Sequence, residues 1–318
     1  MPTTAMMITN RNVNGTELGT DRADVRCYVS DKSNLNSLAN WTELSRDEFR
    51  NRLIQMAGQF PQIAETQNEQ QKHVSFFIHG YNNDWKEGVT RYRKLQKSLY
   101  SDPNGLGQLI LFTWPSNGST FGYLPDREDA RASAPDLADV FVDLYEHLTK
   151  MQRATALNGL TAPCRAKISV IAHSMGNYVL QKALAVASKR VNNPQLITLI
   201  HQVAMVAADV DNDLFQENQP SESDGSLMAN LCYRLGALFT GRDEVLGASA
   251  GLKHFGKRRL GRSGLADRQA VYDNVFDFDV TEVLPKTASD IHSAVFEHPA
   301  TLAILRLLLI GRDRKLLG

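Results

Sequence analysis

A serine stands between an apolar run and a helical pattern in the segment VIAHSMGNYVL, residues 170–180. Ser174 has a small residue, Ala172, two positions before it and a glycine, Gly176, two positions after it. This spacing is typical of a sharp strand-to-helix turn that presents a serine hydroxyl as a nucleophile. A serine that begins a helix is also a common N-cap. The partners that the rest of the chain supplies must therefore decide between the two roles.

A nucleophilic serine needs a base that takes its proton and an acid that orients the base. Where the serine lies on such a turn, the acid follows it in the chain and a histidine comes last. Asp243 follows a predicted strand in LFTGRDEVL. We expect it to be the acid, because the next strand leads to a loop that carries a histidine. Asp209 and Asp211, one strand earlier, are the alternative acids.

The expected base is His292, which lies in the loop after the last predicted strand. From there an imidazole can return over the end of the sheet towards the serine. His298 precedes Pro299 and is expected to begin the C-terminal helix. His254 lies in a basic stretch, where contact with a substrate is an alternative to a surface role. Serine, aspartate and histidine in this order favour a hydrolytic site over three unrelated residues.

An oxyanion hole for such a serine takes one N–H from the next residue, here Met175, and one from an earlier loop. The segment FFIHGYNND, residues 76–84, ends a predicted strand with a glycine, and Tyr81 is the expected second donor. No metal ion or organic cofactor is needed for this chemistry. Weaker candidates for contact with the substrate are His79, Asn82, His173, Arg258 and Arg259.

Short apolar runs alternate with helical patterns along the chain, which predicts an α/β fold with a mostly parallel central sheet and helices on both faces. We expect one domain over residues 1–318. Its first 65 residues contribute edge strands and a helix that begins at a capping box of Ser45 and Glu48. Residues 247–271 form a basic insertion. The main predicted strands are residues 73–80, 107–116, 167–174, 200–209, 232–241 and 274–280.

The composition excludes several classes of protein. Lysine plus arginine and aspartate plus glutamate both number 35, so the net charge gives no case for nucleic-acid binding. No apolar run is long enough for a membrane span, and no secretory signal peptide is expected. Three scattered cysteines indicate reduced thiols in a cytoplasmic protein. The sequence leaves the oligomeric state open.

The motifs FFIHGYN, LFTWPSNG, VIAHSMGN, AADVD and GRDEVL occur in the order found in α/β-hydrolases, and the chain resembles that superfamily from about residue 6 to residue 300. More narrowly, ITNR, HGYNNDW, FTWPS and AHSMGNY resemble a bacterial branch of hydrolases of unknown function. The resemblance implies an eight-stranded type of sheet and a triad of Ser174, Asp243 and His292. It also implies hydrolysis of an ester or similar acyl bond, and it names no substrate.

The expected substrate is a small-molecule or lipid ester. Between residues 251 and 268 the chain carries six basic residues against one acidic residue, Asp267. This excess favours an anionic ester or peripheral contact with a membrane surface, and a solvated basic loop is the alternative. Two other functions stay open at this point: a catalytically silent scaffold, and a thioesterase, peptidase or acyltransferase with the same triad.

Overall fold

The computed structural model describes most of the chain, and every structural statement below concerns the part that it describes. That part comprises residues 4–61, 69–101, 104–116, 123–158, 166–190, 198–254, 256–288 and 290–312. Among its helices, none combines the length and the apolar character that crossing a membrane requires. Cys27 and Cys232 are buried free thiols, and Cys164 lies outside the described residues.

One sheet organises the molecule. Its strands are β1 (Ala5–Asn14), β2 (Glu17–Ser30), β3 (Thr42–Leu44), β4 (His73–Ile78), β5 (Gly107–Thr113), β6 (Lys167–His173), β7 (Ile200–Val206), β8 (Cys232–Phe239) and β9 (Val275–Asp279). They lie in the order β3-β2-β1-β5-β4-β6-β7-β8-β9. In this spatial order, every neighbouring pair in the stretch β1-β5-β4-β6-β7-β8-β9 is parallel. The strand β2 pairs antiparallel with both β1 and β3.

Helices cover both faces of this sheet. They are α1 (Arg46–Gly58), α2 (Trp85–Leu95), α3 (Tyr123–Asn158), α4 (Gly176–Arg190), α5 (Asp224–Leu231), α6 (Glu244–Ala248), α7 (Leu260–Ser263) and α8 (Pro299–Leu309). Apolar residues of α1, α3, α4 and α5 pack on one face. Those of α2, α6 and α8 pack on the other. The predicted fold class is therefore confirmed.

Alternation along the central strands explains the two cores. Phe76 and Ile78 of β4 belong to the core under α3 and α4, whereas Phe77 between them belongs to the core under α2 and α8. Successive side chains of a strand point to opposite faces, so a strand covered on both sides needs an apolar residue at every position. The near-continuous apolar runs of the sequence reflect this requirement.

The amino-terminal strands extend the sheet beyond β5, and they make the number of strands nine where the resemblance implied eight. The ninth is the short β3, which adds three residues to the outer edge of β2. After it the predicted capping box is present: the Ser45 side chain accepts from the Glu48 N–H, and the Glu48 carboxylate accepts from the Ser45 N–H. These two bonds satisfy amides that would otherwise be unpaired at the start of α1.

Candidate active site

Ser174 lies on the turn between β6 and α4, at the carboxyl edge of the sheet. Its backbone adopts the left-handed region, with φ of +52°, and its side chain is nearly buried. Few non-glycine residues adopt this conformation, and those that do often mark a functional site. A Cβ on Gly176 would lie 2.5 Å from the His79 carbonyl oxygen. Glycine is therefore required where α4 begins against the end of β4.

Asn177 holds this turn together, a role that the sequence gave no reason to expect. Its Nδ2 donates to the carbonyl oxygens of Ala172 and Ser174, at 3.0 and 3.1 Å. The Ser174 carbonyl also accepts from the Asp209 N–H at 3.2 Å. A strained backbone persists only when its surroundings fix it, and these bonds fix the turn from two sides.

The loop after β4 comes up to the serine, as expected of a loop that supplies an oxyanion donor. A Cβ on Gly80 would lie 2.7 Å from the Ser174 Cβ, so a larger residue would push the two apart. Tyr81 is half-buried, and its ring meets that of Tyr123 edge to face at 5.4 Å. Asn82 has a φ of +56°. Met175, whose N–H is the other expected donor, has a fully buried side chain.

Asp243 and His292, the expected acid and base, are in direct contact. The Nδ1 of His292 lies 2.7 Å from Oδ2 of Asp243, whose side chain is completely buried. The other carboxylate oxygen accepts from the Leu246 N–H at 2.9 Å and so caps α6. When Nδ1 donates to the carboxylate, the neutral imidazole carries its lone pair on Nε2. Within the described residues Nε2 has no hydrogen-bond partner, which leaves it available to accept a proton.

The loop that carries His292 has little regular structure, and Arg91 of α2 fastens it to the sheet. The Arg91 guanidinium lies 2.9 Å from Nδ1 of His173 and donates to the Ser293 hydroxyl at 2.9 Å. Nε2 of His173 in turn lies 3.2 Å from the His292 carbonyl oxygen. The rings of His173 and His292 are 4.9 Å apart. These contacts place the expected base beside the residue that precedes Ser174.

His173 is a neutral link in this arrangement. Burial lowers its pKa well below the ordinary value, and the positive charge of Arg91 adds to the effect. An imidazole that accepts from Arg91 at Nδ1 carries its proton on Nε2, where it donates to the His292 carbonyl. His173 was expected to contact substrate. In the structure its two ring nitrogens contact Arg91 and the His292 carbonyl, which places it between α2 and the loop that carries the expected base.

The alternative acids, Asp209 and Asp211, both form ion pairs with Arg259. Asp209 is buried, and its Oδ1 accepts from Nε of the fully buried Arg259 at 2.8 Å. Asp211 also pairs with Arg259, and its carboxylate lies 3.3 Å from Nζ of Lys257. Burial alone would raise the pKa of Asp209, but Arg259 and the hydroxyl of Tyr123 lower it on balance. Neither carboxylate contacts His292.

Tyr123, Ser249 and His254 complete the surroundings of Asp209. The Tyr123 hydroxyl donates to Asp209 at 2.7 Å and lies 2.6 Å from Nε2 of His254. The Ser249 hydroxyl donates to Asp209 at 3.0 Å. We call these residues together with Arg259 the Asp209 cluster. Burial, with the nearby Arg259, lowers the pKa of His254 to about 4. The cluster thus binds the insertion to the sheet.

Two further residues that were expected to contact substrate lie inside the protein and bond to protein groups. His79 is fully buried, with Nδ1 2.9 Å from the Gly80 carbonyl oxygen and Nε2 2.9 Å from the Thr113 hydroxyl. The buried guanidinium of Arg259 forms ion pairs with Asp209 and Asp211. Sequence reasoning missed these roles because a pattern of residue types does not reveal which polar side chains the interior encloses.

Of the six basic residues of the insertion, three pair with carboxylates and a fourth bonds a backbone carbonyl. Lys257 and Arg259 pair with aspartates, Arg262 donates to the Asp243 carbonyl at 2.7 Å, and Arg268 pairs with Asp277. Arg258 is exposed, and the side chain of Lys253 lies outside the described residues. These contacts hold the insertion against the rest of the molecule, and the preference for an anionic ester or a membrane surface stays a prediction. His298, as expected, directly precedes the C-terminal helix.

A family model described as "Alpha/beta hydrolase of unknown function (DUF900)" matches residues 57–308. The match covers most of the chain, including Ser174, Asp243 and His292. An uncharacterized protein of Nostoc sp., alr1448, is 28% identical over 130 residues. The alignment covers 34% of this chain and 30% of that protein, so the chain spans less than a third of this curated relative.

A comparison with solved structures finds several hydrolases at low similarity. Lipase B of Aspergillus fumigatus is 13% identical, with a TM-score of 0.37, over 79% of this chain and 56% of that chain. The peroxisomal alpha-beta-hydrolase Lpx1 of Saccharomyces cerevisiae is 10% identical, with a TM-score of 0.41, over 99% and 91%. Phospholipase PlaB of Legionella pneumophila is 14% identical, with a TM-score of 0.38, over 77% and 61%. We draw nothing about substrate from similarities of this size.

Proposed function

The chain belongs to this family of α/β hydrolases, and on that premise we propose that it is a serine hydrolase that cleaves a carboxylic ester through an acyl-enzyme. The observation that carries the proposal is the 2.7 Å contact between His292 and Asp243, beside a serine held in a left-handed turn. An imidazole with a buried carboxylate on one nitrogen and no partner on the other is arranged to act as a base.

The reaction begins when Ser174 attacks the carbonyl carbon of the ester and its proton passes to Nε2 of His292. Asp243 keeps the imidazole in the required tautomer and stabilises the positive charge that develops on it. The C–O bond to the alcohol then breaks, and His292 returns the proton to the leaving oxygen. A water molecule attacks the acyl-enzyme by the same route and releases the carboxylic acid.

The backbone N–H groups of Met175 and Tyr81 are the proposed oxyanion donors. The support is positional: Met175 follows the nucleophile, and Gly80 brings the second loop against Ser174. Hydrogen bonds at such sites are often long without substrate and shorten in the transition state. Loss of one oxyanion donor typically costs about 10²–10³ in kcat.

Intact-mass spectrometry after exposure to a fluorophosphonate tests the activated serine. We expect one adduct on the wild-type chain and none on Ser174→Ala. His292→Ala should react at least about 10³-fold more slowly, since the residues of a triad act as a unit. Ser188→Ala, at a buried serine on α4, the helix that follows the Ser174 turn, is the matched control and should label like the wild type.

Turnover of p-nitrophenyl butyrate by the same four proteins tests the ester chemistry. Activity that disappears in Ser174→Ala and persists in Ser188→Ala supports the proposal. Labelling at Ser174 without ester turnover would point to a thioester, amide or acyl-transfer substrate, and parallel assays with those leaving groups would decide. A folded wild-type chain that neither labels nor turns over an ester would overturn the enzymatic assignment in favour of a silent scaffold.

A further inference from the structure

Arg11 in β1 is a fully buried cation that the reaction proposed above does not use. Within the described residues no carboxylate lies within ion-pair distance of it, and its hydrogen bonds go to neutral oxygens. Burial lowers its pKa to about 10, although the more distant carboxylates of Asp84, Asp126 and Asp129 oppose that shift, so it stays charged at neutral pH. Burying an ion without an adjacent counter-ion costs stability. A methionine of similar length would fill the same space without that cost.

The guanidinium contacts the loop that follows β4 at its far end. Its terminal nitrogens donate to the carbonyl oxygen of Asn83 at 3.0 Å and to that of Ser116 at 3.2 Å. The Asn83 N–H donates to the Ser116 hydroxyl at 3.3 Å, and the Asn83 amide donates to the Tyr81 carbonyl at 2.7 Å. Arg11 therefore ties the end of this loop to the chain that follows β5.

The same guanidinium reaches the near end of the loop through two side chains. Its Nε donates to the Thr113 hydroxyl at 3.0 Å. That hydroxyl lies 2.9 Å from Nε2 of His79, whose Nδ1 lies 2.9 Å from the Gly80 carbonyl oxygen. Burial, reinforced by the charge of Arg11, lowers the pKa of His79 to about 3. The histidine is therefore neutral, with Nδ1 donating to Gly80 and Nε2 accepting.

Between these two ends lies a strained residue. Asn82 has a φ of +56°, and its buried Oδ1 has no hydrogen-bond partner within the described residues. A loop in this state relaxes unless its ends are fixed. The fixed segment, Gly80 to Asn83, is the one that approaches Ser174 and contains the second proposed oxyanion donor, Tyr81.

We propose that Arg11 is a positioning residue that holds the Gly80–Asn83 loop at both ends and so places the Tyr81 N–H for the oxyanion. The inference rests on the proposed function for its catalytic consequence, but its structural content stands apart from it. A lysine keeps the charge and cannot replace the guanidinium, because a single ammonium group cannot reach Thr113, Ser116 and Asn83 in the fixed geometry of the fork.

The kinetic test compares the wild type with Arg11→Lys and Arg11→Met in the hydrolysis of p-nitrophenyl butyrate. We expect kcat to fall about 10²-fold in both variants, as for the loss of one oxyanion donor, with KM changed by less than about threefold. The pH dependence of kcat should keep its shape, because the contact between His292 and Asp243 is untouched. Arg234→Met, which removes a guanidinium bonded to backbone carbonyls of Gly311 and Arg312, is the matched control and should keep its kcat.

Hydrogen exchange measured by mass spectrometry supplies the readout that does not depend on activity. In Arg11→Lys we expect amides of residues 79–85 to exchange at least about tenfold faster while those of β6 to β8 stay protected. Uniformly faster exchange, or a kcat within threefold of wild type in folded Arg11→Lys, would overturn the proposal. Ester turnover that survives in Ser174→Ala would instead refute the proposed function, and the exchange data would still decide the role of Arg11.

Discussion

In the part of the chain that the structure describes, two assemblies place a buried aspartate and a histidine close to a hydroxyl residue at the carboxyl edge of the sheet. In one, Asp243 contacts His292 near Ser174. In the other, Asp209 contacts the Tyr123 hydroxyl, which in turn contacts His254. Their residue types are nearly the same. They differ in what else the carboxylate touches.

Asp243 has one polar side-chain partner, the imidazole of His292, and a helix amide takes its other oxygen. Asp209 has a buried guanidinium directly on it. An arginine satisfies a carboxylate so completely that little of its negative charge is left to stabilise an imidazolium. The difference between the two sites is thus the partner of the carboxylate. A carboxylate bonded to an imidazole can support proton transfer, whereas one bonded to an arginine stabilises the fold. Four expected outcomes test this difference.

The largest expected effect is on catalysis by Asp243→Asn. Asparagine keeps the N-cap on Leu246, so α6 should stay intact. Its single oxygen then accepts from the Leu246 N–H, so its NH2 group faces Nδ1 of His292 as a donor, and the imidazole favours the wrong tautomer. We expect kcat to fall about 10⁴-fold with Tm nearly unchanged, measured by ester turnover and thermal unfolding. Asp209→Asn is the paired variant and should keep kcat within about tenfold in its folded fraction. Equal losses of kcat in the two would remove the distinction.

The next largest effect is a loss of stability in Arg259→Met. This change leaves the buried carboxylate of Asp209 without its positively charged partner. Breaking one side of a buried ion pair costs about 3–5 kcal/mol, which for a chain of this size lowers Tm by about 5–8 °C. Urea unfolding measures the loss. The double variant Asp209→Asn/Arg259→Met should recover part of it, because no uncompensated charge is left. A single variant as stable as the wild type would mean that Asp209 does not need its guanidinium.

A smaller loss of stability is expected from Tyr123→Phe. The change removes the hydroxyl that bonds Asp209 and contacts His254, and a hydrogen bond to a charged group contributes about 1.5–3 kcal/mol. Unfolding free energies at neutral pH measure it. Tyr92→Phe removes a fully buried hydroxyl that donates to the Leu109 carbonyl and accepts from the Met6 N–H and the Gln96 side chain, each at 3.2 Å. It is the control for neutral partners and should lose less. A loss in Tyr123→Phe no greater than in this control would contradict the charged character of the Asp209 cluster.

The smallest effect concerns pH. Burial lowers the pKa of His254 to about 4 and, with Arg91, that of His173 well below its ordinary value. The unfolded chain takes up protons at these residues near pH 6.5, and the folded chain does so only at lower pH. The contribution of each histidine to the free energy of unfolding should therefore be fully present above about pH 6.5 and be lost as the pH drops towards 4, and the partial exposure of His254 to solvent keeps its share small.

Replacement of one titrating residue isolates its share of this pH dependence. His254→Gln should make the loss of stability between pH 6.5 and 4.5 smaller while the pH profile of ester turnover stays the same. Urea unfolding at several pH values and kcat over the same range provide the two measurements. A turnover profile that shifts in His254→Gln would show that the two assemblies are coupled.

Much of this architecture followed from local patterns. The apolar runs predicted the central strands, and Ser45 with Glu48 predicted the start of α1. These patterns are visible because side chains repeat their direction every two residues in a strand and about every 3.6 residues in a helix, so a short segment is enough to show the repeat. The order of Ser174, Asp243 and His292 supplied the proposed site in the same way, since parallel strands bring their carboxyl ends to one edge of the sheet.

The sequence by itself thus determined the fold class, the turn that carries Ser174 and the set of residues from which the site is drawn. Only the tertiary structure decided that Asp243 is the aspartate in contact with His292 and that Asp209 pairs with Arg259 instead. It also decided that His79 and His173 are internal links and that Arg11 and Arg91 fasten the loops around the serine. The physical reason is that these roles depend on burial and on contacts between residues far apart in the chain. A charged side chain has the same letter in the sequence whether water surrounds it or a carboxylate neutralises it.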